Sequence, residues 1–312
     1  MKRTALTVAF LVFLSALLAT VALMPETRGM TLYVGGGGPG NYTSIYLAVE
    51  DASPHSTVFV HSGTYHSHLT INKPLTLIGE NMDTTVIDGG RYGDVVHISA
   101  DWVNVTGFTI RKGGWSNFDA GVELNEVQHC HIYGNNVSDN GNIGILLDYS
   151  DNNTISENTV SLNVYGLYIS DSRHNTVTDN HVFSNSMHGI YLNDCKYHLI
   201  DGNVVSSSGD VGILLHGSVD NTITHNEIRD NHGRGIVLDS SYGNTVRDNT
   251  LEGNKGDTTR EQFLSLLSVL LTTFFVIVGV LSAVLLLTLL VLKRRRMTLG
   301  EDQSSKVERQ SK

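Results

Sequence analysis

A short motif recurs along this chain at nearly constant spacing. Six copies of glycine, an apolar residue, any residue and Leu or Ile begin 22 or 23 residues apart, at Gly121, Gly144, Gly166, Gly189, Gly212 and Gly235. A column of asparagines keeps the same spacing, at Asn135, Asn158, Asn180, Asn203, Asn226 and Asn249. A fixed period of this size indicates one structural unit stacked repeatedly, so the sequence predicts a solenoid.

The residues inside each repeat indicate the type of solenoid. Apolar and polar residues alternate in two short runs, which is typical of β-strands. A helical repeat would need about ten or more residues at a 3.6-residue period, and the glycines and asparagines would interrupt it. We therefore predict an all-β fold, a parallel β-helix of about eight or nine coils, with successive coils about 4.8 Å apart.

Four apolar columns are expected to fill the interior, because none contains a polar residue. They are Ile132, Ile155, Val177, Ile200, Ile223 and Val246; Val137, Val160, Val182, Val205, Ile228 and Leu251; Val122, Ile145, Leu167, Ile190, Ile213 and Ile236; and Leu124, Leu147, Ile169, Leu192, Leu215 and Leu238. A second asparagine column contains Asn140, Asn163, Asn185, Asn231 and Asn254, and Ser208 interrupts it. We expect the asparagines to occupy left-handed corners and to pass amide hydrogen bonds between coils.

Two features precede the regular repeat. Residues 44–52 read as a short amphipathic helix, with Ile45, Leu47, Ala48 and Ala52 on one face. Such a helix could cover the open end of the first coil, where unpaired strand edges invite aggregation. Residues 111–120, which contain Trp115 and Phe118, are expected to form a loop outside the coil.

The ends of the chain predict export and anchoring. Residues 1–24 read as a signal peptide or an uncleaved signal anchor, and residues 25–254 as an extracytoplasmic β-helix. Residues 255–262 would be a linker, and 263–292 contain thirty uncharged residues that we interpret as a transmembrane helix. The basic residues that follow place 293–312 in the cytoplasm.

Composition limits the partners and the cysteine chemistry. Between Pro25 and Phe263 there are 28 Asp and Glu but 12 Lys and Arg, a net charge of −16. This charge argues against nucleic acid as a partner and is compatible with Ca²⁺ at acidic turns. Cys130 and Cys195 lie three coils apart, about 14 Å along the axis, so we expect no disulfide. Sequons for N-glycosylation occur at Asn41, Asn104, Asn136 and Asn152.

The tandem Asn-Thr-Ile-x-x-Asn-x-Val and Gly-Ile-x-Leu segments resemble those of the NosD-like β-helix repeat proteins. The lead-in at 56–65 and 71–79 also resembles the first coils of pectinesterase-like solenoids. The resemblance covers roughly residues 31–254 and implies a right-handed β-helix. It also implies carbohydrate binding or hydrolysis, or assistance in copper-site assembly, as for the founding member in nitrous oxide reductase. None of these roles transfers to particular residues here, because the matching positions are core and corner positions.

Functional residues are therefore expected on the outer surface. One outward column reads Glu123, Leu146, Tyr168, Tyr191, Leu214 and Val237, and the next reads Asn125, Asp148, Ser170, Asn193, His216 and Asp239, with Asp171 and Asp194 one step further. Aromatic rings flanked by carboxylates and amides suit a sugar polymer, because ring faces meet pyranose CH groups and polar groups bind hydroxyls. The alternative is that strand and turn preferences alone select these residues.

Two other readings stay open. If the protein is an enzyme, Asp171, Asp194 and Asp239 are the candidate acid and base of a polysaccharide hydrolase or lyase. A metal site is not expected from the sequence, because the histidines fall in different columns and only 129–131 form a local His-Cys-His cluster. Copper would enter by family analogy alone.

The sequence thus favours a membrane-anchored recognition or structural module. Its ligand would be a glycan or another cell-envelope component. The predicted ligand-binding residues are Tyr168, Tyr191, Asp148, Asp171, Asn193, Asp194, His216 and Asp239.

Overall fold

The computed structural model describes residues 29–256, together with three helical positions at Phe274, Val278 and Ser282. Within 29–256 all paired strands run parallel, and the chain passes through three sheets in turn. We call these sheets A, B and C, in the order in which each coil visits them. The predicted parallel β-helix is therefore confirmed.

The strands are short and are numbered in chain order. Sheet A contains β1 Thr31–Val34, β2 Ser56–Val60, β5 Leu75–Gly79, β8 Asn104–Thr106, β11 His131–Tyr133, β14 Thr154–Ser156, β17 Thr176–Thr178, β20 Leu199–Asp201, β23 Thr222–Thr224 and β26 Thr245–Arg247. Sheet B contains β3 Gly63–His66, β6 Thr85–Asp88, β9 Thr109–Arg111, β12 Asn136–Ser138, β15 Thr159–Ser161, β18 His181–Phe183, β21 Val204–Ser206, β24 Glu227–Arg229 and β27 Thr250–Glu252. Sheet C contains β4 Leu69–Ile71, β7 Val96–Ile98, β10 Ala120–Asn125, β13 Ile143–Asp148, β16 Tyr165–Ser170, β19 Ile190–Asn193, β22 Ile213–His216 and β25 Ile236–Asp239.

The number of coils is larger than predicted. Sheet A has ten strands, so the solenoid makes about ten turns rather than eight or nine. The additional turn begins at β1, which lies before the lead-in at 56–65.

Within residues 29–256 there is one helix, α1, which spans Ile45–Asp51 and lies between β1 and β2 in the chain. Ser44 is its N-cap and accepts a hydrogen bond from the backbone N–H of Leu47 at 3.5 Å. Ile45, Ala48 and Val49 are buried, whereas Leu47 is 51 % exposed. The predicted helix is confirmed, but Leu47 was placed on the wrong face, because the buried residues follow the i, i+3, i+4 spacing from Ile45. The helix packs against β1, β2 and β4, near the first coils.

The four predicted apolar columns fill the interior. Their members are buried in every coil except the last, where Leu238 and Leu251 are only partly buried. These two residues belong to β25 and β27, and β25, β26 and β27 are the last members of their sheets within the described residues. The motif glycines are explained by close approach: a Cβ on Gly166 would lie 2.5 Å from the carbonyl oxygen of Gly189.

Asparagine ladders join the coils as predicted. Asn158 accepts from the backbone N–H of Asn135 at 3.1 Å and donates to the side-chain oxygen of Asn180 at 3.1 Å. The amide also donates to the carbonyl of Ile132 at 2.8 Å, so the buried side chain is fully bonded. The left-handed corner residue is the one before each asparagine, such as Glu157 with φ 55°. The prediction that the asparagines themselves occupy left-handed corners was therefore wrong.

A third ladder, which was not predicted, contains Asn153, Asn175, Asn221 and Asn244, with His198 in the middle. The Nδ1 atom of His198 accepts from the backbone N–H of Asn175 at 2.9 Å. Its buried Nε2 atom has no hydrogen-bond partner of normal geometry. Burial lowers the pKa of His198 to about 4, so the ring is neutral at physiological pH.

Both cysteines are free and buried, as predicted. Cys130 donates its backbone N–H to Asn153 in the third ladder, whereas Cys195 lies in a separate column and bonds Ser218. No helix among the described positions has the length and apolar character needed to cross a bilayer. The predicted segments 1–24, 263–292 and 293–312 and most of the linker lie outside those positions, apart from Phe274, Val278 and Ser282.

Candidate functional site

The outward column of sheet C has the predicted register and extends two coils earlier than predicted, through His97 to Thr70. His97 pairs with Glu123, which pairs with Leu146, and Tyr168, Tyr191, Leu214 and Val237 follow. The neighbouring column, Asn125, Asp148, Ser170, Asn193, His216 and Asp239, is also in register. Two continuous files of side chains therefore run along the outer face of this sheet.

The first file is more buried than the sequence suggested. Leu146 is fully buried and Glu123 is only 9 % exposed, although both point away from the main core. Leu146, Ala120 and Ile143 form a second apolar cluster, against which Tyr165 and Tyr168 pack. The expectation of an open apolar ridge was therefore wrong at this end of the file, because side chains of neighbouring coils cover it.

The tyrosine rings cover each other. The centroids of Tyr168 and Tyr191 are 4.8 Å apart and their planes differ by 11°. Tyr165 stacks on Tyr191 at 6.1 Å, and Phe118 of the predicted loop stacks on Tyr168 at 6.2 Å. Because these ring faces meet other rings, a ligand above the sheet would meet ring edges and hydroxyl groups rather than the ring faces that were predicted.

Polar groups of the second file bond mainly to one another. His216 Nδ1 and Asp239 Oδ2 are 2.8 Å apart and both side chains are exposed. The hydroxyl of Tyr191 donates to Asn193 at 3.3 Å. Asp148 is half-buried, and burial together with the nearby Asp171 carboxylate raises its pKa.

Asp171 and Asp194 occupy corner positions with φ of 49° and 54°. Both are exposed, and their carboxylates accept hydrogen bonds from the adjacent Ser170 hydroxyl and Asn193 amide, at 2.9 and 3.2 Å. Asp is tolerated in such left-handed corners for backbone reasons. Their local surroundings are therefore those of turn residues in contact with water.

A cluster that the repeat pattern did not predict lies near the start of the first file. One ligand-type atom from each of Asp94, His97 and Glu123 lies within 4.8 Å of the other two. His97 Nδ1 is 2.5 Å from Glu123 Oε2 and 4.0 Å from Asp94 Oδ2. Within the part of the chain that the structure describes, this is the only such group of three or more His, Cys, Asp or Glu side chains.

The three groups change one another's ionisation. Burial and the hydrogen bond with Glu123 raise the pKa of Asp94 to about 7. The bond to Glu123 also raises the pKa of His97. Burial opposes ionisation of Glu123, but hydrogen bonds with His97 and Asp94 outweigh it, so the pKa of Glu123 is lowered. The cluster therefore holds a proton on Asp94 and a carboxylate at Glu123 in slightly acid solution.

Two loops position the cluster. Asp94 precedes β7 and accepts from the backbone N–H of Ala120 at 2.7 Å, which fixes its carboxylate beside the first residue of β10. The loop at 112–119 joins the loop at 89–95 through a hydrogen bond from Gly114 N–H to the Gly93 carbonyl at 2.9 Å. Trp115 and Phe118 are exposed on the loop at 112–119, as predicted.

The cluster was missed because it lies outside the regular period. His97 precedes Glu123 by 26 residues rather than 23, and Asp94 belongs to a loop. The alternation of Val96, His97 and Ile98 was a usable signal, since it marks His97 as the outward residue of a strand that continues the column.

The geometry limits the chemistry. Glycosidases separate their two carboxyl groups by roughly 5 to 9.5 Å to accommodate the sugar or a water molecule. The facing atoms of Asp94 and Glu123 lie within 4.8 Å. This spacing suits a shared proton or cation better than an acid and base on opposite sides of a glycosidic bond.

The remaining predicted positions are dispersed. In the 129–131 segment, His129 stacks on Trp102, Cys130 is buried and His131 bonds Ser156, so the three do not converge. Among the sequons, Asn152 is exposed, whereas Asn41, Asn104 and Asn136 are partly buried. Glycosylation at these four positions stays a prediction.

Comparisons with known proteins agree on the fold. Pectate lyase Pel9A superimposes with a TM-score of 0.64 at 16% identity, over 75% of this chain and 72% of the lyase. The Dettilon tailspike protein gives a TM-score of 0.52 at 19% identity, over 65% of this chain and 41% of the tailspike. These similarities show a parallel β-helix of the right-handed type, as predicted. No match was found among curated protein sequences. The family described as "Periplasmic copper-binding protein (NosD)" matches residues 79–262, and the chain therefore belongs to the NosD family.

Proposed function

We propose that the protein binds an extended carbohydrate chain along the outer face of sheet C and acts as a recognition module. The observation that carries this proposal is the pair of continuous files on that face. Coils rise by about 4.8 Å, which is close to the length of one sugar unit, so successive units would meet equivalent positions.

The chemistry along the files supports a sugar ligand. The Tyr168 and Tyr191 hydroxyls, the Asn193 amide and the Asp148 and Asp239 carboxylates all lie at or beside the sheet surface. Such groups form hydrogen bonds to sugar hydroxyls, while the edges of the stacked rings supply apolar contact. Pectate lyase, which shares the fold, is by its name a polysaccharide-acting protein.

The test is a glycan-array measurement on the purified full chain, followed by titration with the best oligosaccharide. The double variant Tyr168→Phe with Tyr191→Phe retains the ring stack and removes both hydroxyls. We expect it to weaken binding by about 10- to 100-fold, because each hydroxyl contributes about 1 kcal/mol through hydrogen bonding.

A matched control is Tyr46→Phe with Tyr242→Phe, two exposed tyrosines that lie outside the two files. This control is expected to bind like the parent chain. Equal affinity of the file variant and the parent, or no glycan binding by the intact chain, would contradict the proposal.

A second candidate is a polysaccharide hydrolase or lyase. One observation favours acid–base chemistry, namely the pKa of Asp94 near 7, but this places the candidate groups at Asp94, His97 and Glu123 rather than at Asp171, Asp194 and Asp239. The close spacing of Asp94 and Glu123 disfavours hydrolysis. Release of reducing ends or unsaturated products from polysaccharides would support an enzyme.

A third candidate, assistance in copper-enzyme maturation, comes from the family. Cu(I) prefers thiolate and thioether ligands. Both cysteine thiols are buried in separate columns, and burial raises their pKa values to about 11 and about 12. The candidate cluster contains one imidazole and two carboxylates and no sulfur, so it does not fit Cu(I).

We further propose that this module stands outside the cell and is held by the apolar segment 263–292. The acidic β-helix region and the basic residues after that segment support this orientation. Protease accessibility of the β-helix in intact cells, with a tag after residue 312 protected, is the expected result.

A further inference from the structure

We propose that Asp94, His97 and Glu123 form a binding site for a divalent cation of borderline softness, Zn²⁺ or Mn²⁺. The inference does not depend on carbohydrate binding. Three observations carry it: the ligand atoms of three side chains converge, neither carboxylate pairs with a lysine or arginine within residues 29–256, and solvent reaches the site.

The distances are those of an ion-sized site before binding. Around an ion with ligand bonds of about 2.0 to 2.2 Å, neighbouring ligand atoms lie roughly 3 to 3.5 Å apart. The separations here bracket that value, at 2.5 Å between His97 and Glu123 and 4.0 Å between His97 and Asp94. Small side-chain rotations would therefore bring all three atoms onto one ion, with the backbone unchanged.

The charge of the site is uncompensated by lysine or arginine. Within residues 29–256 neither Asp94 nor Glu123 forms an ion pair with such a residue. The nearby cations are used elsewhere: Arg91 binds Asp139 at 2.8 Å, and Arg111 and Lys112 bind Asp88 at 3.0 and 2.9 Å. Two carboxylates at such close range favour a bound cation.

The site is held in place and stays accessible. Ala120 N–H anchors one oxygen of Asp94 at 2.7 Å, and Asn125 contacts Glu123 Oε1 at 3.4 Å. The other oxygen of each carboxylate lies on the side of His97. The side chains of Asp94, His97 and Glu123 are 24%, 31% and 12% exposed. Water or a ligand group could complete the coordination from the solvent side.

The donor set selects the class of metal. One imidazole with two carboxylates suits Zn²⁺ or Mn²⁺, whereas Ca²⁺ and Mg²⁺ prefer oxygen ligands alone. Zn²⁺ is expected to bind more tightly than Mn²⁺, following the general order of divalent affinities. Cu²⁺ binds most tightly to nearly any site with nitrogen and oxygen ligands. Cu²⁺ binding in solution would therefore not distinguish this site from other sites.

The experiment is calorimetric titration of the chelator-treated full chain with Zn²⁺, Mn²⁺ and Ca²⁺. We expect one Zn²⁺ per chain, weaker Mn²⁺ binding and the weakest binding for Ca²⁺. Loss of one ligand, in His97→Gln or Glu123→Gln, is expected to weaken Zn²⁺ binding by more than about 100-fold. Co²⁺ should give visible absorption bands in the parent chain that are absent in both variants.

The matched control is His216→Gln with Asp239→Asn. These residues form an exposed pair on the same sheet, with one imidazole and only one carboxylate. This control should retain the Zn²⁺ affinity and the Co²⁺ bands. Unaltered Zn²⁺ affinity in His97→Gln and Glu123→Gln, an equal loss in the control, or a preference for Ca²⁺ over Zn²⁺ would overturn the assignment. Circular dichroism of each variant checks that it is folded.

Discussion

The regular coils from residue 120 onward and the irregular coils before it are built differently. In the regular coils, equivalent residues stack every 22 or 23 positions, and the ladders and apolar columns continue from coil to coil. Before residue 120, strand partners are up to 28 residues apart, and the additional residues form loops such as 89–95 and 112–119. The repeat therefore supplies the scaffold, whereas the departures from it bring Asp94 and His97 to Glu123.

The strongest test of this difference is Asn180→Ala, within the unbroken ladder. The substitution leaves the backbone N–H of Asn158 and the carbonyl of Ile155 without their partners at 3.0 and 2.8 Å. Each buried unsatisfied group costs about 1 to 3 kcal/mol, so we expect about 3 kcal/mol less free energy of unfolding. Denaturant titration measures the loss.

The control for this ladder is Asn249→Ala at the partly exposed end of the same column. It should cost about 1 kcal/mol, because water can replace the lost partner. Equal losses at Asn180 and Asn249 would mean that the interior ladder contributes no special stability.

A smaller change in the free energy of unfolding is expected at His198, where a histidine replaces an asparagine in the third ladder. The folded pKa of about 4 lies below the unfolded value of about 6.5. The neutral buried ring therefore contributes full stability above pH 6.5, and this contribution is lost as the pH falls through 4. His198→Asn should raise the free energy of unfolding by about 1 kcal/mol at pH 7, and the advantage of the variant over the parent chain should grow as the pH falls from 6.5 towards 4.

Unfolding midpoints measured from pH 7 to pH 4 test this expectation. His232→Asn, which changes an exposed histidine, serves as the comparison. A parallel pH profile for the parent chain and the His198 variant would contradict the proposed cause.

The smallest effect is expected for Asp94→Asn, in the irregular region. An amide imitates the protonated carboxyl and keeps an acceptor for the Ala120 N–H bond of 2.7 Å. We expect the free energy of unfolding at pH 6 in the presence of a chelator to change by less than about 0.5 kcal/mol. A loss above about 1.5 kcal/mol would show that Asp94 maintains the fold.

The fold could be predicted because the same apolar and asparagine positions recur in every coil of the regular region. The spacing of the repeat alone predicts that Ile145, Leu167 and Ile190 stack in one column. The asparagine column is predictable because buried backbone groups at each corner need hydrogen-bond partners. The first turn could not be counted, because β1 is followed by a loop and a helix before the coil closes. Leu47 was predicted on the buried face of α1 but is exposed, because the buried face is set by how the helix packs on the first coils.

The candidate site was harder to predict for a physical reason. Side-chain register along a file follows from strand pairing, and the Tyr168–Tyr191 neighbour relation followed from the period. Ring orientation and loop cover depend on packing, so the stacked faces and the buried Leu146 could not be read from spacing. Asp94 reaches Glu123 through a loop, and no periodic signal marks it.

The burial of the two thiols has a practical consequence. Because desolvation raises the pKa values of Cys130 and Cys195 to about 11 and about 12, almost no thiolate exists at neutral pH. The cysteines are thus inert towards oxidants and alkylating reagents as long as the coils stay closed. Each becomes reactive only when its own coil opens, so the rate of alkylation at Cys130 and Cys195 reports local opening at two separate heights of the solenoid.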